Sequence, residues 1–196
     1  MSAPRTCRAV AVFCGSRFGH DPRHREAAVT LGRALAAASI RLVYGGGRVG
    51  LMGVVADACL DAGGSVTGVI PSFLHRREVA HARVTELIET ETMHARKTIM
   101  AERADAFVML PGGLGTLDET IEIITWRQLG LHDKPIILCD VAGSAAPLIA
   151  AIEAAMAMGF AGPETPALYA VAKGPDAVLP LLATLPPGSR TEAELT

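Results

Sequence analysis

The sequence predicts an α/β domain built on a mostly parallel sheet. Three observations carry this. Short apolar runs alternate with longer stretches of helical period. Each main run stops at Gly, Pro or Asp. Three glycine-rich turns, CGSR (14–17), YGGGRVGLMG (44–53) and PGGLGTLDE (111–119), fall just after such runs, where parallel sheets bind their ligands.

The strands are expected at RAVAVFC (8–14), RLVY (41–44), SVTGVI (65–70), AFVML (106–110) and PIILC (135–139), with weaker signals at TELIET (85–90) and LYAV (168–171). The first helix starts at Asp21-Pro22, since an Asp can cap exposed N–H groups and proline suits the first helical position; it runs to about Ala38. Further helices fit 50–62, 92–104, 116–129, 145–158 and 175–184. With half of its 196 residues apolar and 19% charged, the chain can bury one substantial core, so residues 1–185 are expected as a single domain and 186–196 as a polar tail. A net charge of −2 gives no reason to expect nucleic acid or an anionic membrane as partner. No apolar stretch reaches the ~18 residues of a membrane span. The four cysteines form no CxxC pair and the N-terminus has no apolar signal core, which points to the cytoplasm and reduced thiols.

GGGRVG (45–50) matches GxGxxG but follows the second strand, and the next strand ends at Ile70-Pro71 without the acid expected on a ribose hydroxyl. A nicotinamide dinucleotide is therefore not expected. The helix beginning near Leu51 is expected to offer its free N–H groups to a ligand.

In PGGLGTLDE, Pro111 ends the strand and Gly112, Gly113 and Gly115 allow backbone N–H groups from Gly113 to Thr116 to converge on a phosphate at a helix start. Glu119 lies one turn past Thr116, about 4.5 Å along the axis. A carboxylate there can address the sugar of the same nucleotide, where positive charge develops if a glycosidic bond breaks. This stretch alone serves equally well for two acids, Asp118 and Glu119, that complement the helix dipole. In TMHARKTIMAERA (92–104), Arg96 and Lys97 open a helix just before the PGG strand and are placed to converge on that site; taken alone, they read as solvated cations and His94 as an ordinary histidine.

Taken in order, CGSR, VYGGGRVGLMG, MHARK, PGGLGTLDE and ITWRQLGLHDKP resemble the Lonely Guy (LOG) family of cytokinin riboside 5′-monophosphate phosphoribohydrolases, over roughly residues 8–185. The resemblance implies a Rossmann-like, doubly wound homodimer with helices on both faces of the sheet. It implies hydrolysis of a nucleoside 5′-monophosphate, AMP or a cytokinin riboside 5′-monophosphate, to free base and ribose 5-phosphate, with no cofactor. By match to the family motifs, Arg96 and Glu119 are the catalytic pair. Lys97 and the turn Gly113, Leu114, Gly115, Thr116, Leu117, Asp118, Glu119 bind nucleotide, and Glu78 and Thr125 contact ligand. Arg17 departs from the small hydroxyl residue usual in CGSS. The dimer is expected to use the helices at 92–104 and 116–129 through Met93, Ile99, Met100, Ile121, Ile124 and Trp126, with internal packing as the competing explanation.

The family is often labelled lysine decarboxylase, yet Lys97, Lys134 and Lys173 are the only lysines and none has a recognisable pyridoxal phosphate setting. His20, His24, His75, His81, His94 and His132 form no metal-ligand motif, so no metal is expected. The alternative to an enzyme is a non-catalytic nucleotide or phosphorylated-cofactor carrier of the same fold, such as the molybdenum-cofactor carriers.

Overall fold

The computed structural model describes residues 7–75 and 79–188. Strands β1 (Ala9–Phe13), β2 (Arg41–Tyr44), β3 (Val66–Pro71), β4 (Glu86–Thr90), β5 (Ala106–Met109), β6 (Ile136–Asp140) and β7 (Ala170–Lys173) form one sheet, ordered β4-β3-β2-β1-β5-β6-β7. Every pairing is parallel. The order reverses between β1 and β5, the topological switch point at which open α/β sheets bind ligands.

Helices α1 (Pro22–Ala37), α2 (Gly50–Asp61), α3 (Met93–Arg103), α4 (Leu114–Gln128), α5 (Ala146–Ala157) and α6 (Val178–Thr184) cover both faces of the sheet. Alternation along the strands divides the core accordingly. Val10 and Val12 join Leu31, Leu35, Val55 and Leu182 under α1, α2 and α6. Ala11 and Phe13 join Met100, Phe107, Ile123, Leu148 and Ile152 under α3, α4 and α5. Strands buried on both faces read as continuous apolar runs, which is why β1, β2, β3, β5 and β6 stand out in the sequence.

The differences from expectation lie at edges and caps. β4 is an edge strand with only alternate residues covered, which weakens its signal. β7 starts two residues later than LYAV suggests, because Thr165-Pro166 opens a 3-10 turn that takes in Leu168. The 175–184 segment begins as a 3-10 turn, Pro175–Ala177, before α6. α4 starts at Leu114, because Gly113 and not a later residue is its cap. Among the described residues no helix is long and apolar enough to cross a membrane.

Candidate functional site

The three glycine-rich turns pack backbone against backbone at the switch point. Gly15 N–H donates to the Pro111 carbonyl at 3.0 Å, and Leu51 and Met52 N–H both donate to the Gly15 carbonyl at 2.9 and 3.3 Å. A Cβ on Gly15 would lie 3.2 Å from Gly112 Cα, and one on Gly50, at φ +60°, would strike the backbone of Ser16 and Arg17. The N-terminus of α2 is therefore spent on the Gly15 carbonyl. This corrects the expectation that its N–H groups await a ligand: the GxGxxG-like stretch is a packing device.

α3 begins with Thr92, whose hydroxyl accepts from Ala95 N–H at 3.1 Å. That cap sets the phase of the helix so that Arg96 turns inward. Its Nη2 donates to the Gly45 carbonyl at 3.1 Å and stands 4.0 Å from Glu119 Oε1. Both side chains are nearly withdrawn from water, at 5% and 11% exposure. A Cβ at Gly45 would overlap Arg96 Nη2. Gly45 is thus the gap into which the guanidinium fits.

The start of α4 is built differently. Gly113 caps it with no side-chain hydrogen bond, and the Leu117 N–H bond to the Gly113 carbonyl, 3.0 Å, closes the first turn. The N–H groups of Leu114, Gly115 and Thr116 precede any intrahelical acceptor. A Cβ at Gly113 or Gly115 would meet nothing within 4 Å, whereas one at Gly112 would overlap the buried Thr116 side chain. Two glycines therefore face open space and one is a packing contact. The space is a cleft of about 210 Å³ whose walls include Arg96, Glu119, Asp118, Met93, Met52 and the Gly113–Thr116 backbone. Cys14 also lines it, but burial and the nearby Glu119 charge drive its thiol pKa up despite Arg96, so it is no nucleophile.

The remaining expected residues divide. Lys97 Nζ lies 2.6 Å from Asp118 Oδ2 and 2.9 Å from Glu122 Oε2. Partial burial pulls its pKa down, but the bonds to Asp118 and Glu122 outweigh this and the pKa is raised. Thr125 is exposed three turns into α4, its hydroxyl donating to the Ile121 carbonyl at 2.8 Å. Glu78 lies outside the described residues. Of the apolar residues expected at a dimer face, Met100 and Ile124 are core, Ile99 and Trp126 pack against it, and Ile121 is 40% exposed. Leu114 at 85% and Leu117 at 36% join Ile121 on one exposed stripe of α4.

A family model described as possible lysine decarboxylase matches residues 52–182. The cytokinin riboside 5′-monophosphate phosphoribohydrolase of Rhodococcoides fascians is 48% identical over 169 residues, 86% of this chain and 85% of that protein. A probable enzyme of the same name from Oryza sativa subsp. japonica is 50% identical over 170 residues, 87% of this chain and 74% of that protein. The chain belongs to the LOG family. Among solved structures, the molybdenum cofactor binding protein of Rippkaea orientalis superposes with a TM-score of 0.67 at 23% identity, covering 94% of this chain and 98% of that one. At that identity the likeness is one of fold.

For a member of the LOG family, the decarboxylase label fails a chemical test. A Schiff-base lysine needs a free amine beside a cofactor cradle. Lys97 is held by two carboxylates, Lys134 Nζ is buried and donates to the Ala101 carbonyl at 2.7 Å, and Lys173 is exposed on edge strand β7. These residues do not fit pyridoxal phosphate. The walls that sequence reading missed, Met52 and Met93, belong to segments far apart in the chain, as does Gly45, which makes room for Arg96. One signal pointed to Arg96: it shares a helical stripe with Met93 and Met100, at the spacing of buried positions.

Proposed function

We propose that this chain hydrolyses the N-glycosidic bond of nucleoside 5′-monophosphates, AMP or cytokinin riboside 5′-monophosphates, to free base and ribose 5-phosphate. The observation that carries the proposal is the buried Arg96–Glu119 pair, 4.0 Å apart, one helical turn inside a glycine-capped helix start that is open to a ligand. The names of the relatives support the same reaction.

In this reading the 5′-phosphate sits on the N–H groups of Gly113, Leu114, Gly115 and Thr116, with the side of the turn at Leu117 and Asp118 bounding the sugar. Glu119 then faces the ribose. As the C1′–N bond breaks, its electron pair leaves with the base and positive charge grows on C1′ and the ring oxygen, which the carboxylate stabilises. Glu119 takes a proton from water as the water oxygen bonds to C1′, and that proton ends on the base. Arg96, fixed by the Gly45 carbonyl, holds its guanidinium charge at the wall of the same cleft beside Glu119. Glu78, Lys97 and Thr125 complete the ligand contacts.

The functional unit in this reading is a cytoplasmic homodimer that packs through α4. The exposed stripe of Leu114, Leu117 and Ile121 supports it. Thr125 lies about 13.5 Å along α4 from Thr116, at 1.5 Å per residue. In a dimer formed on this stripe it would serve the partner's cleft.

The carrier reading draws on the fold it shares with the molybdenum cofactor binding protein. Incubation with AMP and an N6-prenylated AMP, followed by chromatography of base and ribose 5-phosphate, separates the two. Turnover is expected, with Glu119→Gln lowering kcat by about 10²–10³ and leaving AMP binding largely intact. Tight binding of monophosphates without turnover would instead make the chain a carrier.

A further inference from the structure

We propose that His81 is a positioning residue for Arg96. Its ring pins the segment 79–81 to α2, and that segment fixes the Gly45–Gly47 turn whose first carbonyl holds the guanidinium. The inference rests on the reading above in which Arg96 serves catalysis, and it names what keeps that group in place.

The turn needs such support. Gly45, Gly46 and Gly47 follow β2 directly, and successive glycines leave a backbone more freedom than any other residues would. Yet the Gly45 carbonyl must point at Arg96 Nη2, 3.1 Å away. Its direction is set from outside the turn. Gly46, at φ +76°, packs on β3, where a Cβ would lie 3.0 Å from Ile70 Cβ. Ala80 pairs antiparallel with Gly47, His81 N–H donates to the Gly46 carbonyl at 2.9 Å, and Arg48 N–H donates to the Val79 carbonyl at 2.9 Å. The pairing segment is itself strained. Val79 stands at φ +47°, a left-handed conformation unfavourable for a β-branched side chain, and such a residue stays there only where its surroundings hold it.

His81 supplies the hold. Its side chain is buried and both ring nitrogens are engaged. Nδ1 accepts from Arg83 N–H at 3.2 Å, so the ring proton belongs on Nε2, which donates to Asp57 Oδ1 at 3.2 Å. Asp57 lies on α2, a helix whose own first turn is bonded to the Gly15 carbonyl. One residue thus joins the glycine turn, through its backbone N–H, to a packed helix, through its ring. Arg83 Nη1 also reaches Asp57 at 2.9 Å and Nη2 reaches Asp61 at 2.6 Å, but these pairs are exposed and add little to the hold. His81 and Asp57 are not among the walls of the cleft, which makes His81 a positioning residue and not a ligand contact.

The test uses the full chain and separates the two ring bonds. In His81→Gln the amide nitrogen reaches the Nε2 position and keeps the bond to Asp57; in His81→Asn the side-chain oxygen takes the Nδ1 position, keeps the bond from Arg83 N–H and loses Asp57. These variants, Asp57→Ala and the double variant Asp57→Ala/His81→Asn are compared with wild type for base release from AMP and for Tm. His81→Asn and Asp57→Ala are expected to lower kcat on the order of tenfold or more, with KM for AMP within about threefold, because Arg96 shifts while the phosphate site on α4 does not. His81→Gln keeps kcat within about threefold of wild type, since the bond to Asp57 survives. The double variant is no worse than Asp57→Ala, because both substitutions remove one bond. A folded His81→Asn with kcat within about threefold of wild type overturns the proposal, as do losses that multiply in the double variant. Losses that follow Tm alike in His81→Gln and His81→Asn also overturn it, in favour of a purely structural histidine. If His81→Asn does not fold, Asp57→Ala, at a partly exposed position, removes the same bond and decides. Nitrogen-15 NMR of the wild-type ring reads the anchor without turnover: a proton on Nε2 is expected, and one on Nδ1 overturns it. A wild type that shows the Nε2 proton but releases no base from AMP or its N6-prenylated analogue overturns the functional reading, and the proposal falls with it while the anchor stands.

Discussion

Replacing Gly45 by alanine should disable the enzyme without touching MHARK or PGGLGTLDE. The residue is buried after β2, and its φ lies outside the left-handed region, so the backbone accepts alanine. The added methyl would overlap Arg96 Nη2 and lie 3.0 Å from Arg96 Cζ, with Met52 Sδ at an ordinary 3.4 Å. Gly45 backbone cannot yield easily between β2 and the packed turns, so the guanidinium must move. It has to retreat by about 1 Å or more, and a displacement of that size in a catalytic group costs on the order of 10² in rate. The same movement stretches its 3.1 Å bond to the Gly45 carbonyl. Losing a buried bond from a charged donor costs about 1.5–3 kcal/mol. For a chain of this size that corresponds to a Tm lower by about 3–12 °C, leaving a folded protein. The assay is base release from AMP for wild type, Gly45→Ala, Arg96→Ala and the double variant. The two substitutions act on one group, so the double variant should be no worse than Arg96→Ala alone. A kcat for Gly45→Ala within about threefold of wild type, or losses that multiply in the double variant, would refute the placement of Arg96 or its part in catalysis.

Gly115→Ala tests the opposite kind of glycine. With nothing within 4 Å of the added methyl, the helix should gain about 0.5–1 kcal/mol and Tm rise by about 1–4 °C, while KM for AMP rises on the order of tenfold because the backbone can no longer approach the phosphate. An unchanged KM would remove the phosphate from this turn. Ile121→Asp, on the exposed stripe of α4, is expected to convert the dimer to monomer in light scattering, and a wild-type monomer at micromolar concentration would defeat the dimer proposal. Stability should also depend on His132. Burial lowers its pKa from 6.5, opposed by its bond to the Ile123 carbonyl at 3.0 Å, while its other ring nitrogen accepts from Lys134 N–H at 3.1 Å. The unfolded chain therefore binds the extra proton more readily. The contribution is complete above about pH 6.5 and is lost as pH falls below that value. Urea midpoints should fall across this range and the dependence should weaken in His132→Asn; an unchanged slope would mean that another group controls it.

Much of this was legible because strands buried on both faces and helices with marked caps write themselves into local sequence. PGGLGTLDE announces a strand end, a glycine cap and a first turn, and α4 follows them. Arg96 is harder. Its neighbours at 95 and 97 are partly covered or engaged with carboxylates, and a cation on a short helix reads as solvated unless its phase with Met93 and Met100 is weighed. The role of Gly45 was out of reach, since it depends on a side chain 51 residues away. The apolar residues of α3 and α4 illustrate a general limit: periodicity places Ile121 and Ile124 on a helix but does not say which faces the sheet. Leu114 and Leu117 were overlooked as surface because their positions lie inside a motif read for its backbone.

The distribution of glycines and charges separates scaffold from chemistry. Gly15, Gly45, Gly50 and Gly112 are small because protein atoms occupy the space beside them, so any protein with these packed turns requires them. Gly113 and Gly115 are small beside open space, which suits close approach of a ligand to the backbone, and a carrier would need them as much as an enzyme. The Arg96–Glu119 pair is different. Withdrawing two opposite charges from water to 4.0 Å apart gains little stability, because desolvation offsets most of the attraction. A carrier of an anion gains nothing from a buried carboxylate beside that anion, which would repel its cargo. A hydrolase gains a charge already oriented where an oxocarbenium-like sugar would form, in a site too dry to screen it. The pair is therefore the feature that argues for turnover over carriage.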